Sequence, residues 1–170
     1  MPFSKEDLSF SKLNIRQKKL SDGVFVISPE GSIDSASEDE FRQKINDVLE
    51  KKALHLLIDM VQVKYLSSMG LGAIISLMHK TKELGASLAL YDTQVPVKRV
   101  LQIARLDFLE IDPQKIITSG PFDDYVLGQE PQRQKLREAR EAEKNKREEE
   151  LAKRKKHGDT SRLTTTPSRE

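Results

Sequence analysis

The sequence contains no cysteine among its 170 residues and no long, uninterrupted apolar run. Without cysteine, neither a disulfide framework nor a thiolate metal site can form, which agrees with a reducing compartment. No stretch approaches the roughly 20 apolar residues that cross a bilayer, and residues 1–6 lack the basic-then-apolar order of a secretory signal. We therefore expect a cytoplasmic protein with no membrane span.

Histidine is also scarce, and its three copies lie in unrelated surroundings. His55 sits in an apolar run, where a packed or edge histidine is expected, while His79 lies among lysines and His157 in a charged tail. These positions give no clustered metal set. The sequence also lacks a Ser-His-Asp pattern and a phosphate-binding loop, since Gly70-Leu71-Gly72 is without the third glycine and the lysine of such loops. We predict no metal, no cofactor and no enzymatic activity.

Charge is distributed unevenly along the chain. Residues 1–128 carry 16 Lys+Arg and 18 Asp+Glu, a balance of −2, while residues 129–170 carry 13 and 9, a balance of +4. Apolar residues are concentrated before the second segment, so we expect one core followed by a tail too polar to bury another. The predicted organisation is an N-terminal extension (1–12), a folded domain (13–128), a charged helical tail (129–157) and a disordered terminus (158–170).

The periodicity of apolar residues predicts an α/β domain. A hairpin with a tight turn at 21–23 opens it, and the nearly unbroken apolar run at 54–60 indicates a strand buried on both faces of a sheet. The predicted strands are 13–18, 24–27, 54–60, 87–91 and 115–118, and the predicted helices are 35–53, 67–84 and 96–108. The order β-β-α-β-α-β-α-β predicts a mixed β-sheet with helices packed on it.

Two of the predicted helices carry start or stop signals. Ser35 is followed three residues on by the acid Glu38, which is the spacing of an N-cap. The second helix begins at Ser67 or Ser68 and stops at Gly85. The apolar faces of these helices are predicted at Phe41, Ile45, Val48 and Leu49 in the first and at Leu71, Ile74, Ile75 and Met78 in the second.

The most informative stretch is residues 65–72, which join the buried strand to the second helix. It places the hydroxyls of Ser67 and Ser68 at a strand-to-helix junction. Free backbone N–H groups and the positive end of the helix dipole favour an anion there, so a phosphate on either serine would be stabilised. Gly70 and Gly72 follow in the first turn, where glycine is unfavourable, so small size is expected to matter for packing or for the approach of a partner.

Asp34 is the second candidate at this junction. A right-handed strand–helix–strand crossover makes the strand ending near Ile27 parallel to the strand ending near Val63, so Asp34 and Ser68 are predicted to share one sheet edge. Open α/β sheets usually bind ligands at such edges. Asp34 could hold a serine hydroxyl, help to position a metal-nucleotide in a kinase complex, or repel a phosphate. Asp59, at the end of the buried strand, is at least as well explained as a cap of the following loop.

Three segments of the predicted domain resemble the STAS domain of bacterial anti-sigma factor antagonists in order and spacing. They are 31–34, 57–72 and 95–101. In that family, the serine two places before the glycine of a Ser-Ser-x-Gly-Leu motif is phosphorylated by a partner that is both anti-sigma factor and kinase. The serine that corresponds to it in this sequence is Ser68, two places before Gly70. Ser67 stands where the best-known members have Asp, and Met69 stands where they have a second hydroxyl.

The resemblance implies a non-enzymatic regulator of transcription. With Ser68 unphosphorylated, such a protein binds an anti-sigma factor/serine kinase and frees a sigma factor, and with Ser68 phosphorylated it releases the kinase. A serine phosphatase is a further implied partner. The implied partner-binding residues are Asp34, Ser67, Ser68, Met69, Gly70 and Leu71.

Two other functions stay open at this point. One is a STAS scaffold, or a transporter-associated protein-interaction module, that binds its partner regardless of phosphorylation. The other is nucleotide binding at the sheet edge near Asp34, which predicts saturable binding of ATP or GTP.

The tail admits three interpretations. Acid-first pairs four residues apart, such as Glu143/Arg147 and Glu149/Lys153, favour a solvated helix that acts as a spacer. The alternatives are a basic surface for nucleic acid or anionic lipid and a segment that folds on a partner. Because acids are interleaved with bases, we favour the spacer and expect no direct DNA binding.

Overall fold

The computed structural model describes residues 13–111 and 120–158. Its elements in chain order are β1 (Asn14–Ser21), β2 (Val24–Ile33), α1 (Glu38–Glu50), β3 (His55–Asp59), β4 (Gln62–Leu66), α2 (Ser68–Glu83), β5 (Ser87–Tyr91), α3 (Val95–Ile103), a 3-10 turn (Asp107–Leu109), β6 (Glu110–Ile111) and α4 (Asp123–Gly158). The extension predicted at 1–12, the strand predicted at 115–118 and residues 159–170 of the predicted disordered terminus lie outside the described residues.

The strands form one mixed sheet of six. Its order is β1-β2-β3-β5-β6, and β4 pairs with β2 beyond the end of β3. β1 runs antiparallel to β2, as the predicted hairpin requires, whereas the other pairs are parallel. These pairings confirm the predicted mixed α/β sheet and the parallel crossover through α1.

The chain divides into two units, with the boundary after Val126. The second unit contains the rest of α4, a charged helix with an ion pair between Arg137 and Glu130 at 3.2 Å. The charged C-terminal helix is thus confirmed, although it begins at Asp123, before the predicted start at 129. Among the described residues, no helix combines the length and the apolar character that crossing a membrane requires.

The strand predicted at 54–60 is followed by a second strand that the prediction omits. β3 ends at Asp59, whose Oδ1 accepts a hydrogen bond from the Val61 N–H at 3.3 Å. This is the loop-capping role expected for that carboxylate. β4 then follows almost at once, and because Gln62–Leu66 is only partly apolar and no Gly or Pro precedes it, the sequence carries little signal for a separate strand.

The start of α1 differs from the prediction. The helix begins at Glu38 with Ser37 as the N-cap residue, so the N-cap predicted at Ser35 is wrong. The Ser37 side chain makes no cap bond and instead donates to the Ser32 carbonyl at 2.7 Å. The Ser37 hydroxyl thus fixes the loop at 32–37, and the helix starts after this loop, later than predicted.

The end of α3 also differs from the prediction, which extended the helix to 108. α3 ends at Ile103 because Arg105 takes a left-handed φ of 57°, and the Leu106 N–H then donates to the Leu101 carbonyl at 2.8 Å. Glycine is the usual residue in this conformation, so an arginine there gives no signal in the sequence.

The larger core lies between one face of the sheet and helices α1, α2 and α3. The residues predicted for the apolar face of α1 are all buried, namely Phe41, Ile45, Val48 and Leu49. The buried positions of α2 are Gly70, Ala73, Ile74, Leu77 and Thr81. Of the predicted α2 stripe, Ile74 is therefore central, whereas Leu71, Ile75 and Met78 are partly buried at its margin. Three of the five buried positions are small or polar residues, namely Gly70, Ala73 and Thr81, so large apolar residues alone do not mark the buried face of α2.

A smaller core includes residues from the sheet, Phe122 just before α4, and Val126 in its first turn. Its buried members are Val24, Val26, Leu57, Tyr91, Phe122 and Val126. Neighbouring residues of β2, Phe25 and Ile27, belong to the larger core. Because successive strand residues point to opposite faces, the sheet is buried on both sides, which explains the apolar run of β3.

Tyr125 connects α4 to the end of β3, since its hydroxyl donates to Asp59 Oδ2 at 2.8 Å and Asp59 is only 2% exposed. Tyr125→Phe keeps the ring but removes this donor from a buried carboxylate. We expect the free energy of unfolding to fall by about 2 kcal/mol, as measured by urea denaturation. The matched control is Tyr65→Phe, at a ring that is 55% exposed, and it should change stability by less than about 0.5 kcal/mol. Equal losses in the two variants would contradict the prediction.

Candidate functional site

Strands β2 and β4 end side by side, and candidate residues follow both. Ile33 at the end of β2 is the register partner of Leu66 at the end of β4. Asp34 follows the first strand and Ser67 follows the second, and the Ser67 N–H donates to the Ile33 carbonyl at 3.0 Å. The structure therefore brings Asp34 and the serine pair to one edge of the sheet, as the crossover argument predicts.

Ser67 and Ser68 have different roles at the start of α2. Ser67 is the N-cap: its backbone is extended (φ −81°, ψ 172°), and its Oγ accepts a hydrogen bond from the Gly70 N–H at 3.1 Å. Ser68 is the first residue of the helix and is exposed. Within 13–111 and 120–158, no group is hydrogen-bonded to the Ser68 hydroxyl. Ser68 can therefore be modified without loss of the helix cap.

The electrostatics of the first turn of α2 suit an anion. The turn contains no acidic residue, so nothing on it offsets the positive end of the helix dipole, whereas Lys80 and Lys82 lie in the last turn beside the negative end. Backbone N–H groups at the start of a helix have no partner within it. A phosphate attached at Ser68 would thus be close to free N–H donors and a favourable dipole. This arrangement can hold a covalent anion.

Gly70 and Gly72 are not equivalent, although both lie in the first turns of α2. A Cβ at Gly70 would overlap the Ile33 carbonyl oxygen and would lie 2.8 Å from both Ile33 Cγ2 and Leu66 Cδ1. A Cβ at Gly72 would meet nothing within 4 Å. Small size is therefore required for packing at Gly70 only, where the helix lies directly against the ends of β2 and β4.

The position of Asp34 is fixed by the turn that leads into α1. Its Oδ1 accepts from the Ala36 N–H at 2.9 Å and lies 3.3 Å from the Ser37 hydroxyl. Ser37 in turn accepts from the Asp34 N–H at 3.0 Å and is 7% exposed. These bonds hold the carboxylate at the edge of the sheet rather than leaving it on a flexible loop.

Exposed apolar side chains lie close in sequence to Ser68. Met69 is 52% exposed and Tyr65 is 55% exposed. Leu71 is partly buried against the larger core, and Gly70 is buried. Of the partner-binding residues implied by sequence, Ser68 and Met69 are thus the most accessible, and the role of Gly70 that is visible in the structure is packing.

Sequence reasoning missed two residues of this site. Ser37 holds Asp34, and the available signal was a serine three residues after an aspartate at a predicted helix start. Tyr65 adds exposed apolar surface beside the serines, and no local signal could have found it, because β4 itself was not predicted and its residues do not alternate in burial.

Ser67→Ala is expected to lower the free energy of unfolding by about 1 kcal/mol, because the Gly70 N–H loses its cap. Ser68→Ala removes a hydroxyl that bonds nothing among the described residues, and it should change stability by less than about 0.5 kcal/mol. Chemical denaturation of both variants and the wild type measures these differences. The reverse ranking would show that Ser68 is the cap.

Known proteins share the sequence pattern and the fold of the first unit. The family model described as STAS domain matches residues 16–119. A curated protein named anti-sigma F factor antagonist, from Paenibacillus polymyxa, is 24% identical over 85 residues, which are 49% of this chain and 73% of that protein.

Solved structures of similar fold include those of two such proteins. The anti-sigma factor antagonist SpoIIAA in its unphosphorylated form has a TM-score of 0.54 at 17% identity, covering 58% of this chain and 87% of that one. An anti-sigma factor antagonist from Mycobacterium paratuberculosis has a TM-score of 0.51 at 26% identity, covering 57% of this chain and 81% of that one.

Proposed function

Because this chain belongs to the STAS domain family, we propose that it is an anti-sigma factor antagonist that is switched by phosphorylation of Ser68. With Ser68 unmodified, a surface formed by Asp34 and residues 65–71 binds an anti-sigma factor that is also a serine kinase, and a sigma factor is freed in the cytoplasm. Phosphorylation ends the binding, and a serine phosphatase restores it. In this proposal residues 13–128 are the regulatory domain and the charged tail is a spacer.

The observation that carries the proposal is the state of the Ser68 hydroxyl. It is exposed at the first position of α2, while the neighbouring Ser67 supplies the N-cap. A kinase can therefore reach Ser68 and transfer a phosphoryl group to its oxygen without breaking a hydrogen bond among the described residues. The N-terminus of the helix then stabilises the added charge where it stands.

The proposed switch acts through desolvation and charge. A phosphoserine carries about −1.5 to −2 charges at pH 7. The exposed side chains of Tyr65 and Met69 supply apolar contact area for the partner, and a phosphate beside them would have to lose water when the complex forms. Asp34, on the same sheet edge, adds a charge of the same sign. Both effects favour release.

The proposal is tested by capturing partners from the native cell lysate with tagged full-length protein. Wild type, Ser68→Ala and Ser68→Asp are compared quantitatively, and bound proteins are identified by mass spectrometry. We expect Ser68→Ala to retain an anti-sigma factor with a kinase domain and Ser68→Asp to lose it. A matched control is Ser21→Asp, an exposed serine at the end of β1, which should retain the partner.

Retention of the same partners by Ser68→Ala and Ser68→Asp would contradict the switch. Such a result would favour a STAS scaffold, or a transporter-associated module, that binds regardless of phosphorylation. If Ser21→Asp loses the partner just as Ser68→Asp does, then added negative charge weakens the capture wherever it is placed. That result would also contradict a role specific to Ser68.

A further inference from the structure

Helix α3 presents an apolar stripe to solvent on the side that faces away from the core. Val97 and Leu101 are buried, whereas Val95 is 65% exposed and Ile103 is 85% exposed. Phe108, in the 3-10 turn that follows, is 69% exposed. Val95 and Ile103 are eight residues apart and so lie on the same side of the helix, about two turns from each other. Exposed apolar side chains that lie together on one face, unlike singly exposed ones, are typical of interaction sites.

The charged residues of α3 and of the turn that ends it are all basic. Residues 95–105 contain three bases and no acid, and Arg99 lies on the line between the two apolar ends of the helix. Lys98 forms an ion pair with Glu110 at 3.0 Å. Within the part of the chain that the structure describes, Arg99 and Arg105 have no ion-pair partner. The stripe therefore combines exposed apolar groups with two unneutralised guanidinium groups.

We propose that this α3 stripe (Val95, Arg99, Ile103, Arg105 and Phe108) is a docking surface for an acidic amphipathic helix of a protein partner. Aliphatic side chains of that helix cover the stripe, and its carboxylates form bidentate pairs with the two arginines. α3 has nine residues, about 14 Å of helix, so a partner helix of about three turns matches it. The proposal is independent of Ser68 and adds a second binding surface to the domain.

Charge density favours a protein over a membrane as the occupant. Recognition of anionic lipid usually takes a cluster of four to eight Lys or Arg residues. The stripe has two unpaired arginines, and the acid Asp107 lies exposed between Arg105 and Phe108. Arginine together with large apolar and aromatic groups is instead the composition that is enriched at protein interfaces. Two arginines suit two carboxylates of a partner helix, not a lipid surface.

The test uses the full-length chain and two fluorescent 14-residue peptides that differ only in charge. Both have leucines on one helical face, and their polar face carries glutamates in one peptide and lysines in the other. We expect fluorescence anisotropy to show saturable binding of the glutamate peptide, with a dissociation constant below about 1 mM, and weaker binding at high salt. The lysine peptide should not bind.

Three double variants locate the binding. Ile103→Ser with Phe108→Ser should weaken binding of the glutamate peptide at least about 10-fold, as loss of two anchor residues does. Arg99→Glu with Arg105→Glu should lose the glutamate peptide and gain the lysine peptide. The matched control is Leu54→Ser with Leu84→Ser, which changes two leucines that are each 54% exposed outside α3 and should leave binding unchanged.

Several results would overturn the proposal. Equal binding of both peptides would contradict it, and so would unchanged binding of the glutamate peptide by the α3 variants. So would the absence of binding of the glutamate peptide at 1 mM, because a dissociation constant of 1 mM corresponds to a binding free energy of only about 4 kcal/mol. A membrane would be the occupant if the glutamate peptide fails to bind, if the wild type co-sediments with vesicles that contain phosphatidylglycerol, and if the α3 variants do not co-sediment. Because the charge-reversed variant is predicted to gain a ligand, misfolding cannot produce the expected result.

Discussion

Ser68→Asp is expected to bind the proposed anti-sigma partner at least about 30-fold more weakly than Ser68→Ala does. An interfacial charge that is left unmatched costs on the order of 2 to 5 kcal/mol, which corresponds to roughly a 30- to 5000-fold change in affinity. Ser68 is exposed at the start of α2, next to the exposed Met69, so a charge there would be buried by any partner that covers this turn. The phosphate itself carries more charge than the aspartate and should have the larger effect.

The affinity is measured by titration calorimetry with the purified partner captured in the lysate experiment. Ser67→Asp is the sharpest control, because aspartate is as good an N-cap as serine and it adds the same charge one residue away. We expect this variant to bind like Ser68→Ala, because the N-cap carboxylate would accept from the Gly70 N–H within this chain, whereas a carboxylate at the exposed position 68 has no such donor among the described residues. A loss as large in Ser67→Asp as in Ser68→Asp would show that the surface responds to its total charge, and the specific role of Ser68 would then be wrong.

Gly70→Ala is expected to lower the free energy of unfolding by about 3 kcal/mol, the upper end of the usual range for overpacking. The added Cβ overlaps the carbonyl oxygen of Ile33, which belongs to β2 and cannot rotate away as a side chain would. The helix would have to move off the ends of β2 and β4. Since the Gly70 N–H is also bonded to Ser67 Oγ, that movement would disturb the helix cap.

Gly72→Ala is the matched control for Gly70→Ala, because it makes the same chemical change two residues further along α2. Apart from its own stretch of helix, no described heavy atom lies within 4 Å of the new Cβ, and alanine is a better helix former than glycine, so stability should rise by up to about 1 kcal/mol. Urea denaturation of both variants measures the difference. A loss of similar size in both would show that this turn requires glycine for its backbone rather than for close packing.

Much of the fold was predictable because its signals are local. The apolar spacing of α1 and the stop of α2 before Gly85 (φ 66°) appear in the structure as the sequence indicates. The errors concern features that depend on other parts of the chain. The end of α3 depends on Arg105 in a conformation that glycine usually adopts, and the hydroxyl of Ser37 has a use only once the loop at 32–34 is in place.

The candidate site was predictable in its location but not in its division of roles. Parallel strands bring Asp34 and the serine pair together, and this follows from topology. A shift of the helix start by one residue would exchange the roles of Ser67 and Ser68. Sequence patterns do not locate the start of a helix to one residue. The difference between Gly70 and Gly72 depends on the distance of the helix from Ile33, which no local pattern contains.

The close approach of α2 to the ends of β2 and β4 has a consequence for any enzyme that modifies Ser68. Ser67 is bonded on both sides, through its N–H to Ile33 and through its hydroxyl to Gly70, and Gly70 leaves no free space beneath the turn. The segment is therefore held as a helix start and is not available as an extended strand. An enzyme acting on Ser68 must fit a preformed surface, and a linear peptide that copies residues 60–76 lacks that shape.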